Sequence, residues 1–392
     1  MNILVLDTHS FMQEDIIHIL KMKGHTVFTY GHPDISMHKN DIVSKELSVC
    51  IEKNNISMVF SFNYYPIVSY LLKDSSVKYI SYVYDSPNIA VYTCSIIFPC
   101  NYVFIFDYAV YEELRNGGIS TVYYLPLSVY NKRITELIYK NHSLTAKYDI
   151  SFIGGLYNEN HNLYDRLYDK LSGKYEYIKG YLDSAVKVQS KMYGHFFLQD
   201  IITDDVLKCL LDVYPYDSHS DSIATPAYAY AHYFLARKST EIERIALLKA
   251  VSSSFKLDLF TYGNAPELPL ANPHPAVDYY NAMPIVFNKS KINLNITLKS
   301  ILTGIPLRCI DIMASEGFLL TNYQSDLFRH FNVKEHFDYF EDEKDLLSKI
   351  EYYLNHEDER RTIAENARKL VEKNHDLCEF AEYMIGIAFK EN

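Results

Sequence analysis

The sequence contains no tryptophan and lacks the motifs of several large enzyme classes. There is no Walker A loop, and His9 and Ser10 stand where GxGxxG would follow the first strand, which argues against ATPases and dehydrogenases. No GxSxG segment of a serine hydrolase occurs. No Asp-x-Asp pair is present to hold a divalent cation on a sugar nucleotide, so we expect no metal requirement.

Cysteine is also scarce, since the six cysteines show no CxxC or Cys/His ligand spacing. They fall mostly in apolar runs, which predicts reduced thiols of a cytoplasmic protein. The start MNILVLDT lacks the basic region of a signal peptide. Pro99 and Asn101 divide the apolar run Ile89 to Phe106, so we expect a buried helix or loop and then a strand, without a transmembrane segment.

An excess of basic residues is missing as well. The chain has 38 Lys and Arg against 49 Asp and Glu, for a net charge of -11. Nucleic acid is therefore not an expected partner, because phosphate backbones bind to a basic face. A length of 392 residues with 48% hydrophobic and 22% charged residues is typical of a folded protein with two domains.

Strand-like apolar runs alternate with helical patterns over residues 1–145. The runs are Asn2 to Leu6, Val27 to Tyr30, Met58 to Phe62, Tyr79 to Tyr84, Tyr102 to Phe106 and Val122 to Leu125. Near-continuous apolar strands separated by helices predict a parallel sheet covered on both faces, as in a Rossmann-like domain.

A second α/β half is predicted over residues 146–374. It opens with a strand, Tyr148 to Ile153, and continues with a mostly helical segment at about 157–251. That segment ends in an amphipathic helix, Arg237 to Ser252, with Thr240 as its candidate N-cap. Further strands are predicted at Lys256 to Tyr262 and Phe318 to Thr321. Helical patterns follow at Glu343 to Leu354 and Asp358 to Lys373, and we expect a separate terminal helix within 375–392.

The stretch Ser290 to Asp326 carries the clearest functional pattern. A strand closed by Asn295 and Thr297 leads to a turn, Gly304-Ile305-Pro306, and then to a helix that opens near Leu307. This order predicts an anion site, because the unpaired amides of a helix N-terminus favour phosphate.

Two side chains of this helix fit a nucleotide diphosphate. Arg308 can pair with phosphate bidentately, although a surface arginine is the alternative. Asp311, one turn further on, is placed to accept hydrogen bonds from a ribose diol.

Two further turns lie at strand ends of the same predicted sheet, Gly154-Gly155 and Tyr262-Gly263-Asn264. Small residues allow close approach of the backbone to a ligand, so the three turns together favour a nucleotide-diphosphate site. Arg237, Lys238 and Arg244 could add positive charge there, but a solvated helix face is the favoured interpretation.

The strand ends of the first half offer candidate acceptor-side residues. Asp85 is the best candidate base, and the alternative is that it caps a helix that begins near Pro87. His9 is a second candidate, although a solvated loop histidine is equally common. Two parallel-sheet halves imply a cleft with ligands at the carboxyl ends of the strands.

Several segments resemble the CgeB-like, spore-maturation-type glycosyltransferases, and the resemblance covers about Tyr79 to His375. They include YVYDSP (Tyr82 to Pro87), DISFIGGLY (Asp149 to Tyr157), STEIERIALLKAV (Ser239 to Val251), KINLNIT (Lys291 to Thr297) and GIPLRCIDIMASEGFLLTNYQSDL (Gly304 to Leu327).

The resemblance implies an α/β protein of the GT-B fold, in which two Rossmann-like domains have parallel sheets facing across a cleft. The C-terminal domain, of the glycosyl transferases group 1 type, would bind the donor and the N-terminal domain the acceptor. A helix at the chain end would pack back on the first domain. Related enzymes often carry two glutamates eight positions apart, but here Thr303 and Asp311 stand at these positions.

We therefore expect a metal-independent glycosyltransferase that uses a nucleotide-diphosphate sugar, with a UDP-sugar as the favoured donor. The acceptor would be a hydroxyl-bearing protein, glycan or small molecule. A sugar-nucleotide epimerase of the same shape and a non-catalytic ligand-binding protein remain the alternatives.

Overall fold

The computed structural model describes residues 1–141, 146–159, 162–217 and 219–390. Apart from the residues outside these ranges, the chain forms two compact units. Unit 1 comprises Met1–Tyr130, Ser218–Thr225 and His375–Asn392, and unit 2 comprises Asn131–Asp217 and Pro226–Asn374.

The described residues contain twelve strands and sixteen α-helices. The strands are β1 (Asn2–Leu6), β2 (Thr26–Tyr30), β3 (Met58–Phe62), β4 (Lys78–Val83), β5 (Asn101–Ile105), β6 (Val122–Tyr124), β7 (Tyr148–Ile153), β8 (Leu257–Phe260), β9 (Asn272–His274), β10 (Ser290–Asn295), β11 (Leu319–Asn322) and β12 (Asp338–Phe340). The helices are α1 (Gln13–Met22), α2 (Asp41–Lys53), α3 (Pro66–Leu72), α4 (Tyr108–Asn116), α5 (Asn131–Lys140), α6 (Leu163–Leu171), α7 (Glu176–Gln189), α8 (Asp204–Val213), α9 (Pro226–Ala229), α10 (Ala236–Ser254), α11 (Met283–Asn288), α12 (Leu307–Ala314), α13 (Leu327–His330), α14 (Glu343–Asn355), α15 (Glu357–Asn374) and α16 (Leu377–Ala388).

Unit 1 is built on a six-stranded parallel sheet in the order β2-β1-β3-β4-β5-β6. All five residues of β3 are buried, as expected for a central strand covered on both faces. The run from Ile89 to Phe106 forms two 3-10 turns, Ile89–Val91 and Cys94–Ile97, followed by β5, as the sequence predicts.

The last helix, α16, is part of unit 1, where it packs against α1, β4 and β5. Asp376 caps it by accepting a hydrogen bond from the Cys378 amide at 2.8 Å. The Leu377 amide donates to the Val129 carbonyl at 2.9 Å, so backbone hydrogen bonds join the start of α16 to the segment after β6.

Unit 2 contains a second six-stranded parallel sheet, in the order β12-β11-β10-β7-β8-β9. Its core packs apolar strand residues such as Phe152 and Leu294 against Leu248 and Val251 of α10. A separate apolar cluster joins helices α6, α7, α8 and α10, which accounts for the mostly helical sequence between β7 and β8.

One detail of unit 2 differs from the sequence prediction. The N-cap assignment of Thr240 is wrong, because a π-helical turn, Tyr230–Leu235, leads directly into α10 and leaves Thr240 inside the helix. The polar stretch 131–140 forms α5, in which Ile134 and Ile138 bury one face at a spacing of one turn.

The described ranges contain no helix that is both long enough and apolar enough to cross a bilayer.

Candidate functional site

The turns predicted at the strand ends of unit 2 follow β7, β8 and β10, and β7 lies between the other two. The Gly154 amide donates to the Phe260 carbonyl at 2.9 Å, which ties the ends of β7 and β8 together. Tyr262, Gly263 and Asn264 are exposed at the end of β8. Gly263 has a φ of +75°, a left-handed conformation that favours glycine.

Arg308 lies directly beneath Gly154. A Cβ atom added to Gly154 would lie 3.0 Å from Nη2 and 3.1 Å from Cζ of Arg308. The absence of a side chain at Gly154 therefore leaves the space that the guanidinium occupies. Gly155 has no atom near the position of an added Cβ, so the backbone there is open to a ligand.

Arg244 of α10 is the second cation at this edge and is only 3% exposed. Its Nε donates to the Ile296 carbonyl at 3.0 Å, and its Nη1 donates to the Gly155 carbonyl. Its guanidinium also lies 4.8 Å from the ring centroid of Tyr157. The expectation of a solvated Arg244 is therefore wrong, because the helix turns this side chain toward the ends of β7 and β10.

The charges of the two guanidinium groups are only partly balanced by protein, through the attraction of Glu243 on Arg244 and of Asp311 on Arg308. Within the described residues, neither Arg244 nor Arg308 forms an ion pair with a carboxylate, and the buried Nε of Arg308 has no hydrogen-bond partner. Burial, and then the nearby charge of Arg244, lower the pKa of Arg308 to about 10. Both groups stay charged at neutral pH, so this edge of the sheet favours an anion.

The amino end of α12 adds backbone donors next to Arg308. Pro306 stands at the N-cap position and provides no side-chain cap, while the Cys309 amide bonds to the Pro306 carbonyl at 2.9 Å. In the described part of the chain, the amides of Leu307 and Arg308 have no protein partner. Gly304 and Ile305 are buried in the turn before the helix.

Asn295 and Thr297 are buried and join the ends of two strands. Asn295 Nδ2 donates to Oγ1 of both Thr297 and Thr321 at 3.0 Å, and the Thr297 amide donates to Asn322 Oδ1 at 2.9 Å. These bonds connect β10 to β11 just before the turn that leads to α12. Direct ligand contact by these two residues remains a prediction.

Asp311 lies in the second turn of α12 and is 5% exposed. Tyr279 donates a hydrogen bond to Asp311 Oδ1 at 3.3 Å. Arg133 lies near by, with its guanidinium 5.5 Å from the Tyr279 ring centroid and its Nη1 bonded to the Tyr280 carbonyl. Most of the carboxylate is covered by protein, so its role toward a ribose remains a prediction.

Thr303 stands at the position of the first of the two family glutamates, and it forms hydrogen bonds with Asp326. Its Oγ1 donates to Asp326 Oδ2 at 3.2 Å, and its carbonyl accepts from the Asp326 amide at 3.0 Å. The threonine therefore anchors the loop between β10 and α12.

A buried ion pair between Lys299 and Glu243 connects the loop between β10 and α12 to helix α10. Lys299 Nζ lies 2.9 Å from Glu243 Oε2, and the Lys299 amide donates to Thr240 Oγ1 at 2.9 Å. Burial raises the pKa of Glu243 and lowers the pKa of Lys299, while their mutual attraction opposes both shifts. The loop after β10 is thus fixed to α10, next to Arg244.

Of the other predicted cations, Arg237 and Lys238 are engaged by carboxylates. Arg237 lies 3.4 Å from Glu159, and Lys238 lies 2.9 Å from Glu241 and 3.3 Å from Asp165. Their charges are therefore largely compensated, in contrast to those of Arg244 and Arg308.

In unit 1, Asp85 follows β4 and is held by Asn63 at the end of β3. Asn63 Nδ2 donates to Asp85 Oδ2 at 2.7 Å, while Asn63 Oδ1 accepts from the Asp85 amide at 3.1 Å. The surrounding protein raises the pKa of Asp85 by desolvation, although its side chain reaches solvent. The capping alternative is wrong, because the turn after it begins at Ile89 and is capped by Asn88.

His9 follows β1 at the same edge and its side chain is 93% exposed. Its Nδ1 lies 3.4 Å from Asp7 Oδ1, which also accepts a hydrogen bond from Gln13 at 2.7 Å. The hydrogen bond from Gln13 lowers the pKa of Asp7. The carboxyl edge of the unit 1 sheet therefore holds two carboxylates, and the pKa of Asp7 is lowered while the pKa of Asp85 is raised. The carboxylate of Asp85 is the better suited of the two to accept a proton.

Sequence reasoning did not select Tyr157 and misjudged Arg244. The burial of Arg244 could have been predicted from the helical spacing in α10. Thr240, Arg244, Leu247 and Val251 are three or four residues apart, so they lie on one face of the helix, and all four are buried. Tyr157 adopts a φ of +64°, which no sequence pattern indicates.

No group of three or more His, Cys, Asp or Glu residues arranged to hold a metal ion occurs in the ranges that the structure describes.

Comparisons with known proteins extend these observations. Residues 243–386, which include Arg244, Arg308 and Asp311, match a family model described as glycosyl transferase-like. No relative is found among curated proteins.

Solved structures are similar over nearly the whole chain. Sucrose-phosphate synthase from Thermosynechococcus elongatus has a TM-score of 0.56 at 9% identity and covers 98% of both chains. HepE from Anabaena, in complex with UDP and glucose, has a TM-score of 0.55 at 8% identity and covers 99% of both. The UDP-forming trehalose-phosphate synthase from Burkholderia vietnamiensis has a TM-score of 0.52 at 11% identity and covers 98% of both.

Identities this low are informative about the fold alone, and the fold prediction is confirmed. The chain has the GT-B fold, and residues 243–386 within it are similar to a glycosyl transferase-like family.

Proposed function

We propose that this protein is a glycosyltransferase that moves a hexose from a nucleotide-diphosphate donor to a hydroxyl-bearing acceptor without a metal. The observation that carries the proposal is the pair of half-buried Arg308 and buried Arg244, neither of which forms an ion pair with a carboxylate in the described residues. A diphosphate would compensate both charges, and the fold and the family match support the same function.

The donor site would lie at the carboxyl edge of the sheet in unit 2. The diphosphate would bind beside Gly154 and Gly155, with Arg308 and the first amides of α12 as donors. As the leaving diphosphate gains charge during transfer, these donors would stabilise it electrostatically. Arg244 would act mainly by positive potential, because each of its three side-chain nitrogen atoms already donates to a carbonyl group.

The remaining residues of this edge would complete the donor site. Asp311 would accept hydrogen bonds from the ribose, and Tyr262, Gly263 and Asn264 would border the nucleotide. A UDP-sugar is the favoured donor, because the HepE structures of the same fold contain UDP or UDP-glucose.

The acceptor would be bound by unit 1. Asp85 would deprotonate its hydroxyl group in an inverting transfer, helped by its raised pKa and held in place by Asn63. In a retaining transfer, Asp85 would only orient the acceptor. His9 would contact the acceptor from the end of β1. We further propose the CgeB-like subtype and a cytoplasmic location.

Nucleotide binding tests the donor site directly. Isothermal titration of the unmodified protein with UDP should give a measurable dissociation constant, and Arg308→Gln should weaken binding by about tenfold to a hundredfold, as expected for lost charge-assisted hydrogen bonds. Arg115→Gln, which removes an exposed arginine of unit 1, is the matched control and should bind UDP normally.

Turnover then separates the possible activities. Incubation with UDP-glucose should release UDP slowly, whereas an epimerase would change the sugar without releasing UDP. A thermal-shift panel of UDP, GDP, dTDP and CMP sugars covers other donors. The proposal fails if no nucleotide raises the melting temperature, or if Arg308→Gln binds UDP as tightly as the unmodified protein.

A further inference from the structure

Phe11 of unit 1 exposes an aromatic ring at the carboxyl edge of the sheet. It lies between β1 and α1 and is 45% exposed, whereas the next residue, Met12, is fully buried. Met12 and His9 adopt positive φ angles of +64° and +53°, which are unfavourable for most side chains. Single exposed apolar side chains are common on proteins, so the neighbours of Phe11 decide whether its ring belongs to a site.

Tyr84, which follows β4, provides a second ring beside Phe11. Its ring centroid lies 6.4 Å from that of Phe11 and 5.8 Å from that of the buried Phe62. The Tyr84 hydroxyl is hydrogen-bonded to Ser10, the residue before Phe11. The rings of Phe11 and Tyr84 therefore form an aromatic platform that the protein fixes before a ligand binds, which lowers the cost of binding.

The aromatic platform lies close to Asp85. β1, β3 and β4 are neighbours in the sheet, so the turns at their carboxyl ends are adjacent. Tyr65, after β3, is hydrogen-bonded to Thr8, after β1. Asn63, also after β3, donates to Asp85 at 2.7 Å. Burial, and then the nearby charge of Asp85, raise the pKa of Tyr84 to about 12, so the platform and the candidate base belong to one connected edge.

The charged groups of this edge disfavour an anionic ligand. The turns at 7–12, 63–65 and 84–88 contain two carboxylates, Asp7 and Asp85, and no lysine or arginine. Lys39, in the loop after β2, lies over the ring of Tyr70 in α3, 5.6 Å from its centroid. The carboxylates repel phosphate groups, in contrast to the arginines of unit 2. An uncharged ligand therefore suits this edge.

We propose that the aromatic platform binds the ring of an uncharged carbohydrate and that this carbohydrate is the acceptor, an inference that rests on the proposed function. A sugar ring has apolar C–H groups on its faces and hydroxyl groups around its rim. Phe11 and Tyr84 offer an aromatic surface to one face. The exposed side chains of His9 and Asp85 can exchange hydrogen bonds with the hydroxyl groups. The platform therefore selects the acceptor by binding it, while Asp85 serves the chemical step.

The absence of tryptophan from the chain makes Phe11→Trp a direct reporter of ligand binding. The variant keeps an aromatic ring at the platform, and its indole can be excited apart from the tyrosines. Titration with maltotriose, cellotriose and chitotriose, at saturating UDP, should change the emission saturably for at least one of them, because a stacked sugar ring displaces water from the indole. Glycerol, which has hydroxyl groups but no ring, should have no such effect.

Phe389→Trp is the matched control for this titration. Phe389 is also a phenylalanine of unit 1 and is 37% exposed. It follows Glu382 in α16, which forms an ion pair with Lys23 next to α1, on the side of the sheet where β2 begins. Its emission should stay constant. Equal responses of the two reporters, or no response of Phe11→Trp to any of the three sugars, would overturn the proposal.

Turnover separates this inference from the proposed function. With a sugar that binds the reporter as acceptor and UDP-glucose as donor, Phe11→Ala should raise the KM for the acceptor by about tenfold, because stacking on the platform is lost. Its kcat and its affinity for UDP should be nearly unchanged. An unchanged KM in a protein that binds UDP and consumes UDP-glucose would refute the platform and leave the proposed function intact.

The converse result is equally distinct. If neither protein binds a nucleotide, the proposed function fails, and the platform fails as an acceptor site even where the reporter responds to sugar. The charge argument has its own check, because glucose should bind the reporter more tightly than glucose 6-phosphate. The opposite order would contradict an uncharged ligand.

Discussion

At the carboxyl edge of its sheet, unit 1 presents carboxylates held by amides, whereas unit 2 presents two arginines held by backbone carbonyls and glycine. Burial raises the pKa of Asp85 in unit 1 and lowers the pKa of Arg308 in unit 2. In both cases desolvation disfavours the charged form. The comparison indicates that the carboxyl edge of the sheet is suited to proton transfer in unit 1 and to anion binding in unit 2.

The backbone differs between the two edges as well. In unit 1 the non-glycine residues His9, Met12 and Asn63 adopt positive φ angles, which are unfavourable for most side chains. In unit 2, glycine provides such conformations at Gly154 and Gly263. Both edges therefore keep side chains in such conformations, since Tyr157 of unit 2 has a φ of +64°, but unit 2 also places glycine at two turns where a ligand would approach the backbone.

The largest effect is expected from Asp85→Asn. If Asp85 is the base of an inverting transfer, this variant should lower kcat by about a hundredfold to ten-thousandfold. In the unmodified protein kcat/KM should fall as the pH drops through the raised pKa of Asp85, above the ordinary carboxyl value, because the base must be ionised. Asp7→Asn is the control, and its kcat should change far less. A loss smaller than tenfold in Asp85→Asn would remove it as base.

Arg308 and Arg244 differ in their hydrogen bonds, so their replacement by glutamine should change the free energy of unfolding of the nucleotide-free protein in opposite directions. Arg308→Gln removes a cation that forms no ion pair with a carboxylate in the described residues and should raise this free energy by about 1–3 kcal/mol. Arg244→Gln should lower it by a similar amount, because the carbonyls of Ile296 and Gly155 lose their donors. Urea denaturation measures both, and a loss of stability in Arg308→Gln would contradict the comparison.

Asp311→Ala should weaken UDP binding by at least about tenfold, or 1.4 kcal/mol, if the carboxylate binds the ribose. Titration calorimetry with UDP measures the change. Asp326→Asn, a buried carboxylate that anchors the nearby loop through Thr303, is the matched comparison. Unchanged affinity in Asp311→Ala would exclude it from the donor site.

The smallest effect is expected from Gly154→Ala. The added Cβ would lie 3.0 Å from Nη2 of Arg308, and alanine is strained at a φ of +156°, so we expect a loss of about 1 kcal/mol in stability and a severalfold weaker UDP affinity. Gly155→Ala, where the added Cβ meets open space, should leave stability nearly unchanged. Equal stability losses in the two variants would show that space for Arg308 is not the reason for glycine at 154.

The sequence predicted strands and helices well where a continuous apolar run is bounded by turn residues. β1, β3 and β7 have the predicted bounds, because continuous apolar runs between turn residues leave no competing structure. The start of α12 near Leu307 was also predicted, since Pro306 and the glycine turn interrupt the strand pattern. Thr240 was misassigned as a cap, because the preceding π-helical turn depends on packing in unit 2.

The candidate site was predictable in part. The turns at Gly154, Gly263 and Gly304 follow from the chain order of strands and helices, because parallel strands bring their carboxyl ends to one edge. The contact of Arg308 with Gly154, and the burial of Arg244, depend on how α12 and α10 pack against that edge. Neither contact has a local sequence pattern.

The sequence by itself determined the two parallel sheets and the turns at their edges, because period, apolar content and turn residues are properties of short segments. Apart from the pair of Lys238 and Glu241, which lies within one helix, tertiary structure decided which of these charges are compensated. Arg237 and Lys238 form ion pairs with carboxylates, whereas Arg244 and Arg308 form none in the described residues, although all four belong to helices. Electrostatic interactions act through space, so residues far apart in the chain set the charge of the site.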